Sequence, residues 1–304
     1  MLCISLAQTR IHLLKNQNPY DEKTTLRSRI VTAVVFLSMI AASLVTPFAL
    51  AQPVLAKQPA SALQEHFVKE FLAMRSNEQL LEQLVFAQYG TALDRPRVNA
   101  LKSMLRTILA EPALASYTAK SYASVQNAGL SKAELGAHGG RAIMELRVKG
   151  LRRVSVQRQG ELHRFIQGLA ASLPVRQCRQ MFAGTLDLPA SNKAEQAYMV
   201  AMPLPEFLGL VSAYEAASLA ELRGVRSFPS LTSSQAAKAD AAYDEAVQVR
   251  LRKLPTLVVA QLVGGLTKAP DDVACTYQRE ALAAGMDLPL PERDWYLQQF
   301  VEGL

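Results

Sequence analysis

Residues 131–172, SKAELGAHGGRAIMELRVKGLRRVSVQRQGELHRFIQGLAAS, decide the fold. Ile143 with Leu146, Leu151 with Val154, and Leu162 with Phe165 and Ile166 stand three or four residues apart, the spacing that lines one side of a helix. Ser131 and Glu134 have the spacing of a capping box, in which hydroxyl and carboxylate satisfy each other's backbone N–H. Leu130 and Leu135 complete it as a hydrophobic staple. The nearest thing to a strand, Val154-Ser155-Val156, lies among arginines inside this helical pattern.

The same period runs outward over 61–75, 77–89, 96–110, 113–127, 131–149, 151–172, 194–202, 205–223, 233–254 and 256–266. Ser76 with Gln79 and Thr232 with Gln235 repeat the box spacing. Pro96, Pro112 and Pro205 suit first turns, and Gly90, Gly129 and Gly224 suit helix ends. The fold class that follows is all-α, a multi-helix bundle of antiparallel helices joined by short Pro/Gly turns. A final helix follows Leu288-Pro289-Leu290-Pro291 and carries the single Trp, Trp295, expected to dock it on the body.

A shift of 97 residues superposes Tyr117, Ala119, Ser121 and Ala123 on Tyr214, Ala216, Ser218 and Ala220. The same shift places Gly168, Leu169 and Cys178 on Gly265, Leu266 and Cys275. The correspondence suggests two related helical halves, about 96–190 and 191–290, within a helical domain of 60–304; chance similarity in an Ala-rich helical chain is the other reading.

The chain has 304 residues, 50% of them hydrophobic, with 33 Lys+Arg against 26 Asp+Glu. That composition suits a globular core and excludes disordered, collagen-like and low-complexity classes. Between Leu26 and Ala51 a basic start (Arg27, Arg29) leads into an apolar run from Ile30 that ends Ala49-Leu50-Ala51 before Gln52, the pattern of a secretory signal peptide. Residues 1–51 are therefore read as a leader, with 1–25 as a misassigned start and 52–59 as a loose tail. A periplasmic location follows. An uncleaved 30–51 segment anchored in the inner membrane is the alternative, and the membrane enters only that way. Five basic and two acidic groups leave with the leader, so the formal charge drops from +7 to +4 and no nucleic-acid partner is expected.

In an oxidising compartment Cys178 and Cys275 are read as a structural disulfide, with Cys3 lost in the leader. No nucleophile elbow, phosphate loop, dinucleotide fingerprint or His-Glu-x-x-His occurs, and no cofactor or metal is expected. His138, between Ala137 and the pair Gly139-Gly140, marks either a ligand pocket or a close helix contact. The stretch 141–164 carries Arg141, Arg147, Lys149, Arg152, Arg153, Arg158 and Arg164 against Glu145 and Glu161, and is read as a binding face. Its competitor is a solvated face with ion pairs to the acidic 215–245 region.

The functional expectation is a non-catalytic exported protein that binds an envelope protein or anionic cell-surface component, as inhibitor, immunity protein, chaperone or assembly factor. Its alternatives are a periplasmic hydrolase of cell wall or lipid built on carboxylates and His138, and a lipid carrier. The leader makes one immediate prediction: N-terminal sequencing of the protein from the envelope of expressing cells starts at Gln52, and a start within 1–30 removes the cleavage site from consideration.

Overall fold

The structure is a computed structural model that describes residues 59–89, 92–125, 128, 130–262 and 265–304. The expected leader, the expected Ala51–Gln52 cleavage junction, residues 52–58 and the expected helix stops Gly90 and Gly129 lie outside these. Among the described residues the secondary structure is helical, and there are 13 helices. They are α1 (Ala60–Ser76), α2 (Glu78–Tyr89), α3 (Arg95–Leu109), α4 (Pro112–Ala123), α5 (Lys132–Leu151), α6 (Val156–Ser172) and α7 (Val175–Ala183). After them come α8 (Leu188–Ala201), α9 (Leu204–Arg223), α10 (Ser233–Leu251), α11 (Thr256–Gln261), α12 (Asp271–Met286) and α13 (Glu292–Glu302). None of them is long and apolar enough to cross a membrane.

Both capping boxes form. Ser131 Oγ accepts from the Glu134 amide at 3.3 Å while Glu134 Oε2 accepts from the Ser131 amide at 2.8 Å, and Thr232 with Gln235 repeats the exchange. The third expected box shifts by one residue. Ser76 closes α1, and Asn77 Oδ1 takes up the Leu80 amide of α2 at 3.0 Å. Gly224, at φ 65, closes α9 as expected. The 256–266 pattern is cut to Gln261, and Gly265 follows at φ 87, where an L side chain is strained. Two helices escape the periodicity, α7 and α12. Each opens after a proline, Pro174 or Pro270, and α7 buries just Cys178, Met181 and Phe182 among polar residues.

The chain divides into two compact units. The larger holds α1–α5, α6 as far as Leu169, α8 and α9; the smaller holds Ala170–Asp187 and Thr232–Leu304. These units are interleaved along the chain, with boundaries at Leu169, Asp187 and Leu231, whereas 96–190 and 191–290 are consecutive.

The larger unit is centred on Phe67, Leu81, Leu101, Met104, Leu105, Phe165 and Phe207, all fully buried. Its tightest crossing is that of α5 on α9. A Cβ on Gly150 would stand 1.8 Å from the Ala217 carbonyl oxygen, so the two backbones meet with no side chain between them. Three turns of contact follow in register. Arg147 lies over Tyr214, Gly150 against Ala217, and Arg153 on Glu221, so these two helices, distant in sequence, run in the same direction. The α5–α6 turn is sealed from inside, where buried Gln159 donates to the Leu151 carbonyl at 3.1 Å.

In the smaller unit the Cys178–Cys275 disulfide joins α7 to α12, with a Cα separation of 5.8 Å across 97 residues. Both cysteines are buried. Tyr296 of α13 stacks on Tyr243 of α10 at 4.9 Å and fills the space where a Cβ on Gly285 would fall, 2.1 Å from its ring. The docking aromatic is thus Tyr296; Trp295 beside it is half-buried. Arg279 caps the chain at 170–173, donating to the Ala170 and Leu173 carbonyls at 2.9 and 2.7 Å.

Two stability outcomes follow. Replacing both cysteines by serine lowers the unfolding free energy by about 2–5 kcal/mol in denaturant titrations, the range for a bridge closing a long loop. Gly150→Ala, with no room for its methyl against the main chain of α9, costs more than the ~1 kcal/mol that alanine ordinarily gains over glycine inside a helix.

Candidate functional site

The basic stretch does not stay together on one face. Along α5, Arg141, Glu145 and Lys149 repeat every four residues and are exposed, with Lys149 3.9 Å from Glu145. Arg152 continues this stripe into the turn, half-buried. Arg147 does not belong to it, which corrects the expected binding face: it is 4% exposed. The reason is helical phase, since Arg147 stands four residues after Ile143 and three before Gly150, both buried, and so shares their side.

The remaining arginines divide similarly. Arg153 pairs with Glu221 at 2.6 Å, as expected of a face partnered by the acidic 215–245 region, and its carbonyl accepts the Ser227 amide. Arg164 pairs with Glu161 within α6. Arg158 is half-buried on the first turn of α6, close enough to Glu215 to oppose the upward push that burial gives that carboxyl. Arg141, Arg152 and Arg158 have no ion pair among the described residues.

His138 is half-buried and clamps α5 to α4. Its Nε2 lies 3.0 Å from both the hydroxyl and the carbonyl oxygen of Ser121. A carbonyl can only accept, so Nε2 must carry the proton and cannot draw one from the Ser121 hydroxyl. The Ser–His pair is therefore poorly set up as nucleophile and base; it is a helix-to-helix contact beside buried Gly139 and half-buried Gly140. Among the described residues no group of His, Cys, Asp and Glu could hold a metal ion.

What the sequence reading misses is the surroundings of Arg147. Tyr89 at the end of α2, Glu195 on α8 and Tyr214 on α9 converge on it, each 4% exposed or less. The guanidinium lies over the Tyr214 ring, 5.4 Å from its centroid, in cation–π contact. Burial lifts Glu195 to about 8 against the opposing pull of Arg147. It also presses Arg147 down to about 10, with Tyr89, Tyr214 and Glu195 acting to restore it. Burial raises Tyr89 and Tyr214 as well, each pushed further by Glu195. The Tyr89 and Tyr214 hydroxyls and Glu195 Oε1 make no hydrogen bond among the described residues. The cluster thus holds one strong cation among a carboxyl and two phenols that retain their protons at neutral pH.

One turn of α6 carries a second buried ionisable group, His163, which burial and then Arg164 lower to about 3. The imidazole is neutral throughout the physiological range. Of the whole set, only Arg147 could have been placed from the sequence, by its phase on α5. Tyr89, Glu195 and Tyr214 come from three other helices with no common spacing.

Comparison with protein-family models, with curated proteins and with solved structures gives no match of any of the three kinds.

These two buried groups set the pH response of the fold. His163, depressed in the folded chain, makes stability climb as pH rises from about 3 to its ordinary 6.5. Glu195, raised in the folded chain, makes stability fall as pH rises from its ordinary 4.5 to about 8. Thermal melts should therefore rise to about pH 4.5, level off to about 6.5 and decline towards 8. Glu134, held low by its bonds to Ser131, adds to the rise on the acid side. Glu195→Gln should abolish the decline above pH 6.5, and an unchanged decline would place its origin elsewhere.

Proposed function

We propose that this chain is a non-catalytic exported protein that captures an acidic envelope protein along the outer stripe of α5. The observation that carries the reading is the run Arg141, Lys149 and Arg152, three cations to the single carboxylate of Glu145, displayed on successive turns and continued by Arg158. Arg141 and Arg152 lack internal ion-pair partners, so a partner's carboxylates gain them without first breaking a bond inside this chain. Arginine in particular offers carboxylate a two-pronged donor. The leader pattern at 26–51 supports an envelope setting, and the Arg147 cluster has a supporting role here, holding α5 in place beneath its outer stripe.

An inhibitor, an immunity protein, a chaperone and an assembly factor would all use such a face. Association steered by exposed charge is fast and falls steeply with ionic strength.

The test is zero-length carbodiimide crosslinking in intact cells, which joins Lys149 directly to a partner carboxylate. The triple variant Arg141→Glu, Lys149→Glu, Arg152→Glu should lose the captured protein while its melting temperature moves by no more than a few degrees, Arg141 and Lys149 being exposed and Arg152 half-buried. Arg147 is left in place in that variant, because Arg147→Ala strips a buried cluster and lowers stability by itself. Capture that survives the triple reversal removes the α5 stripe as the binding face.

A further inference from the structure

Helix α11, Thr256–Gln261, is made almost wholly of apolar residues and buries none of them. Leu257 is 71% exposed, the highest value among the exposed large apolar side chains of the described residues. Its back is nonetheless held. Val258, Leu262 and Leu266 pack against Ala269, Val273 and Ala274, the last two on α12, which the disulfide ties to α7. Leu257 is therefore presented outward on a supported segment.

A similar segment of the larger unit is covered. Leu151-Arg152-Arg153-Val154 closes α5 and leads into α6, where Gln159, Leu162, His163, Phe165 and Ile166 are buried. Leu251-Arg252-Lys253-Leu254 closes α10 in the same manner, with the Lys253 and Leu254 amides donating back to the Arg250 and Leu251 carbonyls. The apolar helix that follows it has no such cover. Arg252 and Lys253 are exposed and have no ion pair among the described residues. Lys268 is exposed as well; of the nearby acids, Asp271 faces Arg179 at 3.9 Å and Asp272 is exposed.

An outward leucine beside two unpaired cations fits a surface that is apolar just beneath a layer of negative charge. A second copy of the chain fits less well. A two-fold contact through this segment would set Arg252 and Lys253 against their own counterparts, and one six-residue helix offers far less than the ~800 Å² per partner of a stable interface. We propose that residues 252–262 seat on an anionic bilayer surface, with Leu257 entering the headgroup–acyl boundary and Arg252 and Lys253 meeting lipid phosphates.

The test is hydrogen exchange by mass spectrometry on the full chain, with vesicles of phosphatidylglycerol and phosphatidylcholine, pure phosphatidylcholine vesicles, and no vesicles. Reading the 252–262 amides alone separates this contact from any made by the apolar leader. Exchange in 252–262 should slow by roughly threefold or more on the anionic vesicles alone, and salt of about 0.5 M should reverse this. Leu257→Ser, and separately Arg252→Glu with Lys253→Glu, should weaken the protection about tenfold with unchanged circular dichroism and melting temperature. Exchange that ignores the vesicles, or protection that persists in Leu257→Ser, overturns the proposal. Concentration-dependent protection without vesicles, with a dimer in gel filtration, overturns it in favour of self-association.

Discussion

The contact of Gly150 with the main chain of Ala217 governs the larger unit. Where a helix meets another at the backbone itself, the relative height of the two is set to within a fraction of a turn, because every slip drives a Cβ into a carbonyl. That single constraint aligns the next turn on either side. Three residues earlier it brings the Arg147 guanidinium over the Tyr214 ring, and three residues later it brings Arg153 to Glu221.

The Arg147 cluster has its energetic meaning through that crossing. A guanidinium withdrawn from water is costly unless the surroundings offset the loss of its hydration, and here the Tyr214 ring meets it in cation–π contact while Tyr89 and Glu195, from two further helices, stand close enough to act on its charge. The carboxyl yields first, retaining its proton well above the usual carboxylate range because burial outweighs the attraction of the cation. Removing one member leaves the rest buried without their counterpart. Clusters of this type therefore favour one packing over others of similar hydrophobicity, and α5 with its charged outer stripe inherits that definition.

The smaller unit solves the same problem with different means. Of its helices, α7 buries three residues and α11 none, and a covalent link between α7 and α12 together with the Tyr243–Tyr296 stack adds to what the apolar area supplies. Arg250, bridging Glu280 and Asp287, ties α10 to α12 at the surface. The economy of that core leaves α11 held on one side and bare on the other.

How much of this was legible in the sequence depends on whether a feature is local. Apolar residues at three- and four-residue steps establish an all-α chain, and the Ser131–Glu134 and Thr232–Gln235 boxes locate two helix starts to the residue, since a cap is closed within four residues. The pairing of Cys178 with Cys275 was legible because they are the two cysteines outside residues 1–51. The phase of Arg147 on α5 was available in principle, yet a run of seven cations reads as one face until each is placed on its turn. Helix α7 eluded the pattern because a segment joined to its neighbour by a disulfide needs few apolar positions to be held, and α12 because most of what it buries is alanine, glycine and glutamine rather than large apolar residues. Tertiary structure alone decided that Tyr89, Glu195 and Tyr214 surround Arg147, and that α11 is bare where α6 is covered. Such facts join residues from distant helices, and only the packing of whole helices, at a height set by a glycine against a carbonyl, brings those residues together.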